Sequence, residues 1–404
     1  MDVFVARQPI FDRKRHVVAY ELLFRSGPDN FFPEGSDPDM ACSRIISDQL
    51  HIFTEGEITQ DRKAFINTTR RILVEQLIAM LPADRTVVEI LEDVEPDETL
   101  ISSVRALKQA GYTIALDDFI FRPSLAPFIE LADIIKIDFL ATTGDDRARV
   151  AEELKAKGIT LLAEKVETVE DFKQAYEAGY DLFQGYFFCR PEMIARKSVP
   201  AFKGAYLKLI SLLYQPEMSF TKVAEVIRHE PSLSVKLLRY LNSSAFGLRT
   251  KVRSIQEALV LLGEQPLKRW ASLVALTGIG EDKPPELVLT ALYRARMCEL
   301  LGERCALRTR AFDLFLIGLF SVIDAMMDRP IEETLTPLGL RQDVYDALVH
   351  QEGPLGELLL LVRGYAEGDW PAVERLSGRL QVEAAALPAA YGDALAWAEE
   401  IKAL

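Results

Sequence analysis

The amino-acid sequence predicts an α/β fold followed by an all-α fold: a modified (β/α)8 barrel and then a helical domain. Three observations indicate this. Short apolar runs that stop at a polar residue alternate with helical segments through the first half of the chain. Strand signals end after Pro200, whereas helical periodicity continues to the C-terminus. A length of 404 residues with 49% hydrophobic residues is enough for two cores. We therefore expect a barrel over residues 1–199 and a helical domain over residues 200–404.

The barrel is predicted to begin with two strands, at residues 3–10 and 16–25. Their connection through Asp12, Arg13 and Lys14 is too short for a crossover, so they should form an antiparallel hairpin. Helices are expected between the later strands, at residues 40–53, 98–110, 147–157 and 169–178. Six further strands are expected to end near Asn67, Glu89, Leu116, Ile137, Ala163 and Gln184.

The second half reads as short helices separated by proline and glycine, which excludes a long coiled coil. The predicted helices span residues 202–214, 221–228, 232–241, 255–262, 267–277, 285–301, 311–327, 341–348 and 355–367.

Charge and composition exclude several classes of function. Residues 1–200 contain 24 Lys and Arg against 35 Asp and Glu, a net charge of −11, whereas residues 201–404 contain 23 against 26, a net charge of −3. Neither half has the basic excess that nucleic-acid binding needs, so no direct nucleic-acid partner is expected. The four cysteines form no CxxC pair, which argues against a zinc knuckle or a disulfide framework. Without an apolar run of roughly 18 residues or a signal peptide, no membrane span is expected and the prediction is cytoplasmic.

Polar residues stand where the barrel strands end, and strand ends converge on one face of such a barrel. The acids among them would repel one another unless divalent cations bind, and carboxylate and amide oxygens suit Mg²⁺, Mn²⁺ or Ca²⁺. Phosphoester hydrolysis fits this inventory. The alternative is that the acids cap helices and pair with Lys136 or Lys165 at the surface. The converging residues are Glu21, Asn67, Glu89, Asp117, Asp118, Lys136, Glu164 and Gln184.

Motifs along the first half resemble the EAL-type cyclic di-GMP phosphodiesterase domain. Residues 8–10 resemble its opening QPI, residues 21–25 its E-A-L-L-R signature with Leu22 in place of Ala, and residues 163–168 its A-E-G-V-E-T with Lys165 in place of Gly. In the second half, residues 227–243 and 254–263 resemble the HDOD domain. Further matches lie at Asn67, at Glu89 with Glu92, at Asp117-Asp118, at Lys136-Ile137-Asp138 and at Gln184-Gly185.

The resemblance implies a role for each matched residue. The metal ligands would be Glu21, Asn67, Glu89 and Asp117, holding Mg²⁺ or Mn²⁺. Lys136, Glu164 and Asp118 would be catalytic, with Glu164 as a base. Glu92 would support a loop. Ligand binding would fall to Gln8, Arg25, Glu167 and Gln184, with Arg25 on a phosphate.

Three departures from the family pattern shape the functional hypotheses. They are Leu22, Lys165 and a bulky segment, residues 119–123, where the family has a glycine-bearing loop. The segment at residues 119–123 predicts impaired turnover. Lys165 predicts that metal binding is weakened or absent, with its ammonium taking the place of a cation; the alternative is that the Lys165 side chain extends into solvent.

The leading hypothesis is a cyclic di-GMP signalling regulator with a divergent barrel. The runner-up is a working Mg²⁺- or Mn²⁺-dependent phosphodiesterase, and the third is a scaffold that binds no nucleotide.

The helical domain is expected to bind proteins rather than metal. His229 and His350 are the histidines after residue 200, and neither is followed by Asp, so no metal or other cofactor is predicted there. Protein partners are expected to contact this domain, and a homodimer is left open. The loop Ile120-Phe121-Arg122-Pro123 is predicted to transmit changes at the barrel rim to the helical domain.

Overall fold

The computed structural model describes residues 3–26, 59, 62–92, 94–119, 122–142, 144–189, 201–214, 218–230, 233–237 and 254–403. The chain divides into two compact units. The first comprises Met1–Arg190 together with Leu361–Ala396, and the second comprises Pro191–Leu360 together with Trp397–Leu404. The predicted boundary between residues 199 and 200 stays a prediction, and residues 361–396 group with the barrel. Among the described residues, no helix is both long and apolar enough to cross a membrane.

The first unit contains a closed barrel of eight strands in sequence order, as predicted. β1 is antiparallel to both of its neighbours, β2 and β8, and the other neighbouring strands are parallel. The predicted hairpin is therefore confirmed, with Gln8 opposite Glu21. The strands are β1 Val3–Asp12, β2 Val17–Ser26, β3 Lys63–Thr68, β4 Thr86–Ile90, β5 Thr113–Leu116, β6 Ile134–Asp138, β7 Thr160–Glu164 and β8 Leu182–Gln184.

Helices cover the outside of the barrel, so parallel strands such as β4 are buried along their whole length. Side-chain caps define where several helices begin. Asp97 accepts a hydrogen bond from the Leu100 N–H, and Thr168 forms a capping box with Asp171. The predicted helix at residues 40–53 lies outside the described residues. The helices are α1 Arg70–Val74, α2 Glu98–Gln109, α3 Ala126–Leu131, α4 Gly144–Lys155 and α5 Val169–Glu177.

An apolar layer fills the barrel interior below the strand ends. Each strand contributes one side chain to this layer. Alternate residues of a strand point into the barrel, so the next inward-facing residue lies two positions away. The polar site lies directly above this layer, toward the carboxyl ends of the parallel strands. The members of the layer are Ile10, Ala19, Phe65, Val87, Ala115, Ile134, Leu162 and Leu182.

The second unit is helical, as predicted. Its most buried element, α10, packs against α11, and Gly318 permits the close approach because a Cβ there would lie 2.5 Å from the Ala295 backbone. The predicted helix at residues 311–327 is two helices that break at Ser321 and Val322. The helices of this unit are α6 Ala201–Leu213, α7 Phe220–His229, α8 Ile255–Leu262, α9 Glu264–Ile279, α10 Pro285–Gly302, α11 Ala311–Phe320, α12 Ile323–Met327, α13 Ile331–Leu335 and α14 Gln342–Val349, and residues 233–237 are also helical.

Three helices end the chain: α15 Gly353–Glu367, α16 Trp370–Leu380 and α17 Ala386–Ala403. The first was predicted and the last two were not. The limit between the two compact units falls within α15 and again within α17.

Candidate active site

A ring of polar side chains lies directly above the apolar layer of the barrel. Each member of the ring is two residues further along its strand than a member of the layer, or two residues earlier on the antiparallel β1. Glu21 follows Ala19 and Lys136 follows Ile134 in this way. Strand alternation therefore turns the ring residues inward. The ring consists of Gln8, Glu21, Asn67, Glu89, Asp117, Lys136, Glu164 and Gln184.

Lys136 stands at the centre of the ring and is 1% exposed. Its Nζ lies 3.2 Å from Glu21 Oε2, 2.9 Å from Asp117 Oδ1 and 2.6 Å from Glu164 Oε1, and it also contacts Glu89. One ammonium thus meets four carboxylates, so the buried cluster carries an excess of negative charge when all are ionised.

The amides of the ring donate toward Glu21. Gln184 Nε2 lies 2.6 Å from Glu21 Oε2 and 2.8 Å from Gln8 Oε1, and Asn67 Nδ2 lies 3.1 Å from Glu21 Oε1. Their amide oxygens are left over. Among the described residues at this site, the buried oxygens without a hydrogen-bond partner include Asn67 Oδ1, Glu89 Oε2, Asp118 Oδ1 and Gln184 Oε1.

These oxygens are acceptors, and a buried acceptor without a donor is costly unless a water or a cation binds it. Two groups of three carboxylates have oxygens within 4.8 Å of one another: Glu21 with Glu89 and Glu164, and Asp117 with Asp118 and Glu164. Hard oxygen donors in such groups suit Mg²⁺ or Mn²⁺. The residues present therefore fit a divalent metal.

The electrostatics of the ring follow from burial and crowding. Burial, with Glu21 nearby, holds the pKa of Glu89 well above its ordinary value. Burial also raises the pKa of Glu164 to about 8, with Asp117 and Glu21 adding to the shift. Burial alone would lower the pKa of Lys136, but the surrounding carboxylates raise it well above its ordinary value. The ammonium is thus held charged, while the acids compete for few positive charges.

Lys165 lies at the edge of the site rather than at its centre. Its Nζ is 2.5 Å from Asp138 Oδ2 and 3.5 Å from Asp118 Oδ2, and the side chain is 48% exposed. The ammonium at the centre of the acids is that of Lys136, and the expectation that Lys165 competes with a cation at the edge of the site stays a prediction. Lys165 and Asp118 both have left-handed backbones, with φ of 52° and 38°, a region that disfavours side-chain-bearing residues.

Some predicted site residues lie away from the ring. Glu92 and Glu167 are exposed. The side chain of Arg25 lies outside the described residues, as do Ile120 and Phe121. Leu22 is fully buried and one residue from Glu21, so it faces the other side of β2. Asp138 was not predicted as a site residue, although it too ends a strand.

The helical unit holds no comparable group of metal-binding side chains among the residues that the structure describes. Its two histidines are exposed at helix ends, as predicted: His229 is the last residue of α7 and His350 caps α14.

Comparison with known proteins reproduces this order of domains. The EAL domain model matches residues 43–191 and the HDOD domain model matches residues 199–328. A solved structure, the Bacillus subtilis YkuI protein with an EAL domain, in complex with substrate c-di-GMP and calcium, is 19% identical, with a TM-score of 0.41 over 58% of this chain and 72% of that chain.

Two curated relatives match along almost the whole chain. "Uncharacterized protein YuxH" of Bacillus subtilis is 36% identical over 99% of this chain and 99% of its own length. "Cyclic di-GMP phosphodiesterase CdgJ" of Vibrio cholerae is 37% identical over 99% of this chain and 93% of its own length. Since both domain models and full-length relatives agree, the chain belongs to the family of two-domain proteins in which an EAL domain is followed by an HDOD domain.

Proposed function

We propose that the barrel hydrolyses cyclic di-GMP to a linear product with a bound Mg²⁺ or Mn²⁺. The observation that carries this proposal is the set of buried, unpartnered oxygens of Asn67, Glu89 and Gln184 in the acidic ring, together with that of Asp118 beside it. The name of the Vibrio cholerae relative, a cyclic di-GMP phosphodiesterase, supports the substrate.

The chain's own residues divide the work of the reaction. Glu21, Asn67, Glu89 and Asp117 would hold the metal, which when bound supplies positive charge and makes water more acidic. Glu164 would be the base that takes the proton of the attacking water: the positive charge of a bound metal would favour its ionised form, and burial makes that carboxylate a strong proton acceptor.

Lys136 keeps a positive charge close to the acids, where it can meet the negative charge that builds on the phosphate. Asp118 lies beside Glu164 in the second group of carboxylates. Gln8 and Gln184, with Arg25, would bind the ligand.

A second candidate is a receptor that binds cyclic di-GMP without hydrolysis, the hypothesis that the sequence alone favoured. The observation in its favour is the pairing of Lys165 with Asp118 and Asp138, since it occupies one carboxylate of the second group. We prefer hydrolysis to binding alone because the predicted base, lysine and metal ligands lie close together, and because Leu22 points away from them. A scaffold that binds neither metal nor nucleotide would leave the two groups of crowded carboxylates without a cation.

The helical domain is proposed to contact proteins. The buried charges of Lys203 and Glu299 are paired within the domain, and the domain carries no excess of basic residues for nucleic acid. A homodimer and the transmission of changes through Ile120 and Phe121 remain proposals from the sequence.

Calorimetry with cyclic di-GMP and Mn²⁺, next to an assay for linear product, tests these functions. We expect binding with turnover in the wild type and binding without turnover in Glu164→Gln. The exposed Glu170→Gln is a matched control that should keep both. Binding without turnover in the wild type would favour the receptor, and no binding would favour the scaffold.

A further inference from the structure

The C-terminal segment, residues 361–396, is part of the barrel unit although it lies beyond both matched domains. The HDOD match ends at residue 328, and the sequence assigned this segment to the helical half. Contacts join it to β1, to β2 and to the residue two positions after β8.

Two tyrosine hydroxyls fasten the segment to the barrel. Tyr365, fully buried, donates to the Val5 carbonyl of β1 at 3.3 Å. Tyr186, two residues beyond Gln184 at the end of β8, donates to the Ala366 carbonyl at 3.2 Å. Both hydrogen bonds meet the segment within two consecutive residues, where α15 ends.

Gly368, just after α15, touches β2. Its φ is +73°, and a Cβ placed on it would lie 2.9 Å from Leu23 Cδ1. Leu23 is two residues beyond Glu21 on β2 and therefore shares its side of the strand. A side chain at Gly368 would therefore clash with Leu23, which is the next residue on the same side of β2 as the predicted metal ligand Glu21.

Three ring residues that are hydrogen-bonded to one another lie on β1, on β2 and at the end of β8, close to the points where the segment makes contact. Gln184 of β8 donates to Gln8 of β1 and to Glu21 of β2. Gln8 and Glu21 are also register partners across the hairpin. Movement of these strand ends would therefore move Glu21 together with the amides that orient it.

An aromatic cluster gives the segment a defined shape. The Tyr365 ring packs on Trp370 of α16 at 5.5 Å and on Tyr391 of α17 at 5.1 Å between centroids. Rings at these distances are attractive and well packed. The contacts to β1, β2 and β8 thus come from a packed body of three helices.

We propose that Tyr365 and Gly368 are positioning residues that set the place of Glu21 through β1, β2 and β8. The proposal rests on the proposed function in taking Glu21 as a metal ligand. It makes the C-terminal segment a structural requirement for metal affinity.

The test compares leucine at two glycines with the same backbone strain. Gly368 and Gly353 have φ of +73° and +70°, but a Cβ at Gly353 meets nothing within 4 Å. We use leucine rather than alanine because the Leu23 side chain is flexible and could move away from the single methyl group of an alanine. We expect Gly368→Leu to weaken Mn²⁺ binding about 10-fold, as loss of an outer support typically does, and Gly353→Leu to leave it unchanged. Adding Leu23→Ala to Gly368→Leu should restore most of the affinity.

Hydrogen exchange over residues 17–26 gives a readout that needs no metal. We expect faster exchange there in Gly368→Leu than in Gly353→Leu. If Gly368→Leu fails to fold, Tyr365→Phe replaces it, since this change removes only the hydroxyl that reaches Val5; faster exchange and weaker Mn²⁺ binding are again expected.

Equal exchange and equal Mn²⁺ affinity in the Gly368 and Gly353 variants would overturn the proposal. So would a Tyr365→Phe variant that matches the wild type in both measurements. If the wild type binds no Mn²⁺, the proposed function fails, and the exchange comparison still decides whether the segment positions β2.

Discussion

The two units bury charge in different ways. In the barrel, Lys136 faces the carboxylates of Glu21, Glu89, Asp117 and Glu164. In the helical unit, by contrast, the buried Lys203 ammonium meets one carboxylate and one carbonyl: its Nζ lies 2.7 Å from Asp282 Oδ1 and 2.9 Å from the Met326 carbonyl.

The Glu299 carboxylate is a second example from the helical unit. It accepts two hydrogen bonds from Arg269, at 2.5 and 2.9 Å, and one from Arg296 at 2.5 Å. The difference teaches that burial alone does not mark a site. A matched pair is satisfied within the fold, whereas several acids crowded around one ammonium, as in the barrel, favour the binding of a cation.

The strongest test of this contrast removes the lysine from each unit. Lys136→Met should lower the free energy of unfolding of the metal-free protein by about 3–5 kcal/mol, because it leaves buried acids uncompensated. Mn²⁺ should then raise the melting temperature more than it does in the wild type. Lys203→Met should cost only about 1–2 kcal/mol, because Asp282 is half exposed. A similar Mn²⁺ response in both variants would contradict the contrast.

The crowded acids of the barrel should also make the stability of the protein depend on pH. Glu164 has its pKa raised from 4.5 to about 8 in the folded barrel, so between these values the folded state keeps a proton that the unfolded state has released. Stability of the metal-free protein should therefore fall as the pH rises from about 4.5 to about 8, by on the order of 1–3 kcal/mol. Chemical unfolding at several pH values measures this.

Glu164→Gln should flatten that slope, and Glu170→Gln should not. A slope that persists unchanged in Glu164→Gln would assign the effect to other groups.

In the helical unit, Glu299→Gln leaves Arg269 and Arg296 without their carboxylate. We expect a loss of about 1–2 kcal/mol in unfolding free energy, with Mn²⁺ affinity unchanged. Denaturant unfolding and calorimetry on the same sample measure both quantities. A fall in Mn²⁺ affinity would show that this pair is more than a structural contact.

The smallest effect is expected at the edge of the barrel site. Lys165→Gly removes a half-exposed ammonium from Asp118 and Asp138, so Mn²⁺ binding should tighten only about 2- to 5-fold, as exposed ion pairs are weak. Lys165→Gln should act in the same direction, which separates charge from backbone strain. Unchanged affinity in both variants would exclude Lys165 as a competitor of the metal.

The sequence by itself determined the barrel, the helical half and the ring. Strand alternation and the convergence of parallel strand ends are local rules, and they placed Glu21, Asn67, Glu89, Lys136 and Glu164 on one face before any contact was known. The same rules identify Asp138 only as a strand end, so its pairing with Lys165 was missed.

The tertiary structure alone decided which groups meet. Lys136 reaches carboxylates that lie between 19 and 115 residues away along the chain, and no periodicity encodes which of two lysines fills an acidic centre. It also placed residues 361–396 with the barrel, where Tyr365 meets Val5 360 residues earlier. Sequence periodicity determines which side of a helix or strand is buried. Which other segment packs against that side depends on contacts between residues far apart in the sequence.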